Sequence, residues 1–255
     1  MNDPFSVHGL DHLSPSQINT FISDPCKWVL RVSGYTGDGG GAGAWRGSAT
    51  DNAITTALQE NLSAEKAVEL GRLYMLDRLK QYPTVDSKKF EDEQTAVDKF
   101  IKEGLFFYRR LPKPTQYQGE ISLQLDHLPI PITGKADFVY EDKVRDLKTV
   151  KQKPDRIKDS HARQVAIYAT ALGMSEAHVD YVYVTKTKNH VYHFAMGKEE
   201  IEQAMKVVNV ATKSMTRLLS VSSNIEDIAG LLTPDFDDWM WSPAEIEAAK
   251  KLWRI

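Results

Sequence analysis

The sequence predicts an α/β fold with a helical N-terminal part, and three features point to it. Apolar residues recur at helical spacing through the first hundred residues, and the pattern turns to alternation between Gly119 and Val150. A helical stretch then separates those runs from two further β-rich ones that end at Met196. With 255 residues, 42% of them hydrophobic, the chain is long enough to bury a sizeable core. Neither an internal repeat nor a low-complexity linker divides it. A single domain over 1–255 is expected, helical over about 14–110, with its core over about 115–220 and a tail over about 221–255.

The first helix is announced by Ser14-Pro15-Ser16-Gln17, a capping box with proline at the first helical position. It continues through Ile18, Phe21 and Ile22 and runs out near Asp24-Pro25. Six glycines between Gly34 and Gly43 then predict a mobile segment. From Arg46 the residues Ala49, Ala53, Ile54, Ala57 and Leu58 mark a second helix, Ser63 opens a third, and Phe90 to Tyr108 a fourth. GEISLQL, PIPITGKADFVYE and KVRDLKTV read as three strands, and Ser160 to Leu172 as a helix. AHVDYVYVTKT and NHVYHFAM form a strand pair turning at Lys188-Asn189, and Lys198 to Leu219 is helical again. The tail holds an acidic loop, PDFDDWMW, and a second capping box at Ser242-Pro243-Ala244-Glu245.

Charge and cysteine usage narrow the function. The net charge of −3 gives no global positive field, so a nucleic-acid partner needs a local basic patch. Cys26 is the only cysteine and can neither pair within the chain nor hold a metal cluster alone. No apolar run reaches the roughly 18 residues that span a bilayer, and the start lacks the basic and apolar stretches of a secretion signal. A cytoplasmic protein without a membrane partner is the expectation.

Chemistry concentrates between Glu120 and Tyr168. Asp137 closes Gly134-Lys135-Ala136-Asp137, and Asp146-Leu147-Lys148 follows nine residues later. A hairpin turning at Glu141-Asp142-Lys143 sets the two aspartates on neighbouring strands, and the period of two sets Asp146 and Lys148 on one face. Two hard carboxylates there suit Mg²⁺ or Mn²⁺ with positions left for water and a phosphate oxygen, while the lysine orients or deprotonates the water. On these three residues alone, a cross-strand salt bridge is the plainer reading.

Further pieces occur in a fixed order with them: Arg46-Gly47-Ser48-Ala49-Thr50-Asp51, Glu120, and Gln164-Val165-Ala166-Ile167-Tyr168 on the following helix. The ordered set resembles the RecB-like branch of the PD-(D/E)XK nucleases, including phage-type exonucleases and CRISPR-associated relatives, over most of the chain. The resemblance implies a restriction-endonuclease-like core, a mixed sheet flanked by helices, and a Mg²⁺- or Mn²⁺-dependent deoxyribonuclease. Such an enzyme is most simply an exonuclease of DNA recombination, repair or degradation in a bacterial or phage-infected cell. It also implies Asp137, Asp146 and the Leu147 backbone carbonyl as metal ligands, Lys148 positioning the water, Gln164 and Tyr168 bracing the site, and Glu120 close by. A recombinase or single-strand-binding protein is a conceivable partner of such an enzyme; oligomeric state is not readable.

Two departures from the family pattern stand out. Many relatives carry a histidine ligand where this sequence has Asp51, whose carboxylate is also a hard ligand for Mg²⁺ or Mn²⁺. Several relatives hold an iron–sulfur cluster on one cysteine resembling Cys26 and three in the tail, where residues such as Trp241 stand here. No iron–sulfur cluster is therefore expected, with Cys26 a buried apolar residue and the Trp-rich tail packed against that region.

From Glu141 to Arg163 there are eight Lys and Arg against five acids, a local basic strip. Lys151, Lys153, Arg156, Lys158 and Arg163, with His161 and Arg46, are the candidate DNA contacts. Two other readings compete. A non-catalytic DNA-binding or recombination-accessory module would keep the fold without the chemistry, as the Asp51 departure allows. A nucleotide-binding enzyme would use Gly39-Gly40-Gly41-Ala42-Gly43-Ala44, although the flanking chain is not a βαβ unit.

Overall fold

The computed structural model describes residues 3–37, 39–238 and 241–255. Six helices come first: α1 Pro4–Val7, α2 Pro15–Ser23, α3 Pro25–Val32, α4 Ala42–Gln59, α5 Ala64–Gln81 and α6 Ser87–Tyr108. Strands β1 Gln116–Leu123, β2 Ile132–Val139 and β3 Lys143–Val150 follow, then α7 Asp159–Ala171, β4 Glu176–Val184 and β5 Asn189–Met196. Helices α8 Lys198–Leu219, α9 Ile225–Ala229 and α10 Pro243–Trp253 complete the order.

Both capping boxes form. Ser14 accepts the Gln17 N–H while the Gln17 side chain accepts the Ser14 N–H, and Ser242 and Glu245 repeat the exchange. Asp24-Pro25 does not end the helical region. Asp24 closes α2 and accepts the Lys27 N–H as the cap of α3, Pro25 occupies the first turn where no N–H is needed, and Trp28, Val29 and Leu30 are buried. The described end of the glycine segment is likewise held rather than loose. The Gly39 carbonyl accepts from Trp45 Nε1 at 2.8 Å and Arg78 at 2.9 Å, and its positive φ of 79° lets the backbone lie against the Tyr82 ring. Asp38 in that segment, and Trp239 and Met240 of the acidic loop, lie outside the described residues.

The strands form one mixed sheet in the order β1-β2-β3-β4-β5, antiparallel except for β3 and β4, which run parallel through the α7 crossover. Alternation then gives the sheet two apolar faces. Val179 and Tyr181 of β4 pack with α7, α8, α2 and α3, whereas Val182 and Val184, with Phe138 and Leu147, pack with α4, α5 and α6. A smaller cluster joins Cys26 and Leu30 of α3 to Trp241 and Ala249, with Lys27 bridging to Glu245 at 2.9 Å. The expected seat of the tail against Cys26 is thus the observed one. Among the described residues, no helix is long and apolar enough to cross a membrane.

Candidate active site

The site grows from the place where β2 and β3 stop pairing. They are in register only at Phe138↔Arg145 and Val139↔Val144, which sets Asp137 opposite Asp146 as the hairpin spacing predicts. There the ladder gives way, and the Leu147 N–H donates to Oδ2 of Asp137 at 2.7 Å. The Asp146 side chain is fully buried with Oδ2 at 2.6 Å from Lys148 Nζ, and no donor among the described residues reaches its buried Oδ1. From the other direction α4 delivers Asp51, whose two oxygens lie 3.3 and 3.2 Å from Gln118 Nε2. The same amide reaches Asp137 Oδ1 at 3.5 Å. Asp51, Asp137 and Lys148 thereby line one cleft of about 410 Å³ together with Leu147, Lys158 and His161.

Three carboxylates share this small space, and their protonation reflects it. Burial, then the charge of Asp146, pushes Asp51 up to about 6 against the opposing pull of Lys148. Asp137 is raised well above the usual carboxylate range by burial and by both other acids, and Asp146 is raised by burial despite Lys148. Burial opposes the charge on Lys148, yet Asp146 and Asp137 hold its ammonium above the usual lysine range. The cluster is thus short of positive charge. Among the described residues no three acids or histidines stand close enough together to hold a metal ion as they are; in chemical kind the three carboxylates, one with a buried oxygen that no described donor reaches, are the hard oxygen donors a divalent cation takes.

Behind the carboxylates, Gln164 Nε2 donates to Tyr168 Oη at 2.8 Å on α7. Gly134 lies under that tyrosine, where an added Cβ would sit 3.2 Å from the ring, so the glycine of G-x-x-D lets β2 approach α7 closely. Burial, then Asp146, holds the Tyr168 proton on well above the usual range.

Glu120 stands apart from the acids, while Arg46 lines the cleft with its charge already paired. Glu120 is exposed and turned toward its register partner Lys135 at 3.7 Å, and before it Gln118 adopts a left-handed φ of 50° and leaves the β1–β2 ladder. The interruption aims Gln118 at the carboxylates, and Glu120 resumes the ladder opposite Lys135. Arg46, expected as a DNA contact, is instead buried over the Phe100 ring, ion-paired with Glu93 at 2.5 Å and bonded to Thr149. Its role there is to tie α4 to α6 and β3 at the cleft wall.

The other basic residues border the site. Lys151 shares Glu93 at 2.7 Å, Arg163 donates to Asn19 at 2.7 Å, and Arg156 meets Asp159 on the surface. Lys153, Arg156, Lys158 and Arg163 line a groove of about 800 Å³ that shares Thr149, Val150 and Lys158 with the cleft, so the two run into each other.

Sequence reasoning missed Gln118 and Tyr181. A polar residue just before Gly119 is weak notice of a left-handed turn in a strand. Tyr181 packs inward on β4, and its hydroxyl reaches the cleft wall at His161 and the Lys158 N–H.

The family model of the PD-(D/E)XK nuclease superfamily matches residues 12–239. No curated protein sequence matches the chain. A candidate exonuclease from Eubacterium rectale has a similar fold, with a TM-score of 0.56 over 96% of this chain and 90% of that one at 14% identity. A second solved structure, SSO0001, aligns at a TM-score of 0.35 over 73% of this chain and 84% of that one at 13% identity, too slight a likeness to carry an argument.

Proposed function

Because the chain belongs to the PD-(D/E)XK nuclease superfamily, we propose that it is a Mg²⁺- or Mn²⁺-dependent deoxyribonuclease acting as an exonuclease. The observation that carries the reading is the convergence of Asp51, Asp137, Asp146 and Lys148 at the opening between β2 and β3, beside a basic groove. Nothing in folding requires three acids to be crowded with one cation, and superfamily members in general use divalent metals such as Mg²⁺.

In this reading Asp51, Asp137 and Asp146, with the Leu147 carbonyl, hold the cation. Bound there, a divalent ion supplies positive charge against the charge developing on a phosphoryl oxygen and acidifies water. Lys148, held as an ammonium, donates rather than accepts: it orients the attacking water and meets the same developing charge. Gln164 and Tyr168 fix the wall behind the acids. Lys153, Arg156 and Lys158 set the backbone of the strand along the groove without reading bases. Asp51, half-buried in the cleft and bonded by Gln118 and Thr55, stands with the other acids, which favours a working site over an accessory module.

The test is digestion of end-labelled single- and double-stranded linear DNA and of a closed circle, with Mg²⁺, Mn²⁺ or EDTA. Metal-dependent loss of the linear substrates, sparing the circle and absent in Lys148→Ala, is the expected outcome. DNA that is bound and left intact under every condition would replace the enzyme with a binding module.

A further inference from the structure

One polar group at the cleft wall has no task in the reading above. His161, in the first turn of α7, lines the cleft beside Asp51, Asp137 and Lys148. Its Nδ1 is 2.8 Å from Tyr181 Oη, and that same hydroxyl oxygen is 3.0 Å from the Lys158 backbone nitrogen. Tyr181 itself is fully buried on β4, so its hydroxyl has few partners to choose from.

The direction of these bonds follows from the donor inventory. A backbone N–H can only donate, so Tyr181 Oη accepts from Lys158. The phenolic hydrogen then needs an acceptor, and Nδ1 of His161 is the one in reach. The reverse arrangement, Nδ1–H donating to Oη, would leave a buried hydroxyl hydrogen with nothing to bond, at a cost of about 1–3 kcal/mol. His161 is therefore the tautomer with a bare Nδ1 and a hydrogen on Nε2. That Nε2 has no partner among the described residues and is not enclosed. Burial, then the charges of Lys148 and Lys158, pushes the imidazole down to about 3, in keeping with a ring that stays neutral.

We propose that His161 is a substrate-binding residue, a neutral imidazole whose Nε2–H donates to a non-bridging oxygen of the phosphodiester backbone, with Tyr181 as the positioning residue that fixes its tautomer. The inference rests on the nuclease reading. A neutral donor adds direction without charge. It fixes where the strand sits in the cleft, while the flanking lysines, which are positive regardless of orientation, supply the attraction.

Steady-state digestion of a linear oligonucleotide tests it. His161→Ala should raise KM about tenfold with kcat within about twofold, and His161→Gln, which keeps a donor, should recover part of the loss. The dependence of kcat/KM on salt should keep its wild-type slope in His161→Ala, whereas Lys153→Ala should make it shallower by about 0.9 on duplex substrate. A wild-type KM in His161→Ala, or a slope reduced as in Lys153→Ala, overturns the proposal, the second by showing a charged ring. A readout independent of activity is ¹⁵N NMR of histidine-labelled protein. It should show His161 protonated on Nε2 alone at neutral pH, and Tyr181→Phe should abolish that preference. A hydrogen on Nδ1 in the wild type overturns the inference whatever the activity. If wild-type protein neither cleaves nor retains DNA, the nuclease reading itself falls, a result distinct from active protein indifferent to His161.

Discussion

Two buried acids, Asp146 of β3 and Asp180 of β4, lie on adjacent strands of one sheet, and their proton affinities are shifted in opposite directions. Asp180 of β4, the register partner of Leu147, is fully buried and saturated with donors: Arg145 through two nitrogens at 2.9 Å, Tyr108 at 2.8 Å and His193 at 2.8 Å. Burial works to raise it, yet the bonds from His193, Arg145 and Tyr108 together hold it below the usual carboxylate range. Asp146, equally buried, has Lys148 on one oxygen and, among the described residues, no hydrogen-bond donor on the other, and two more acids crowd it. Burial alone therefore does not mark a site. What separates a saturated structural acid from one left short of partners is the count of donors aimed at it.

The comparison breaks most directly at its satisfied half. Asp180→Asn leaves Arg145 buried without its countercharge, and should destabilise the protein by about 3–5 kcal/mol in urea unfolding while leaving cleavage by the folded fraction unchanged. A stability close to wild type would show that Asp180 is not the structural anchor its bonds imply.

The unsatisfied half should respond with the opposite sign. Asp51→Asn removes one of three crowded charges while its amide oxygen can still accept from Gln118 and Thr55. Melting of the metal-free protein at pH 7.5 should shift upward, and kcat should fall about 10²–10³-fold. A variant that loses both stability and activity would place Asp51 with the structural acids instead.

The pH dependence sharpens the same contrast. With its folded value about 6 against an ordinary 3.8, Asp51 binds its proton more tightly in the folded state than in the unfolded one. Its contribution to stability is full below the ordinary value and lost as pH rises through about 6, a change of at most about 3 kcal/mol. Asp180 is depressed, so its contribution is present above the ordinary carboxylate value and lost as pH falls through its folded value. Urea unfolding in EDTA should show stability declining between about pH 4 and 6. That decline should flatten in Asp51→Asn and diminish when Mn²⁺ is added at the upper end.

How these halves divide explains what the sequence made legible. Local rules sufficed for the capping boxes at Ser14 and Ser242, for the hairpin between Asp137 and Asp146, and for Asp146 and Lys148 on one face, since each depends on residues a few positions apart. Contacts made across the sheet were not legible. Arg145 counts in the sequence as part of a basic strip, yet alternation turns it away from Asp146 and buries it against Asp180. Arg46 likewise reads as a surface cation until α6 supplies Glu93. Glu120 misleads because it sits opposite Lys135, two residues along β2 from Asp137, and pairs there at the surface.

The same distinction between satisfied and free charge yields the smallest effect. Lys153 lines the groove and, among the described residues, has only the Tyr192 ring near its ammonium, at 5.8 Å, whereas Arg46 is enclosed and paired. A cation that contacts phosphate releases counterions on binding; one already neutralised by a buried carboxylate releases none. DNA affinity measured in EDTA across a salt series should therefore lose about 0.9 from its log–log slope on duplex DNA in Lys153→Ala. Arg46→Ala should keep the slope and show its loss in melting instead. Equal slopes in Lys153→Ala and the wild type would move the DNA path off this groove, while leaving the carboxylate site where it is.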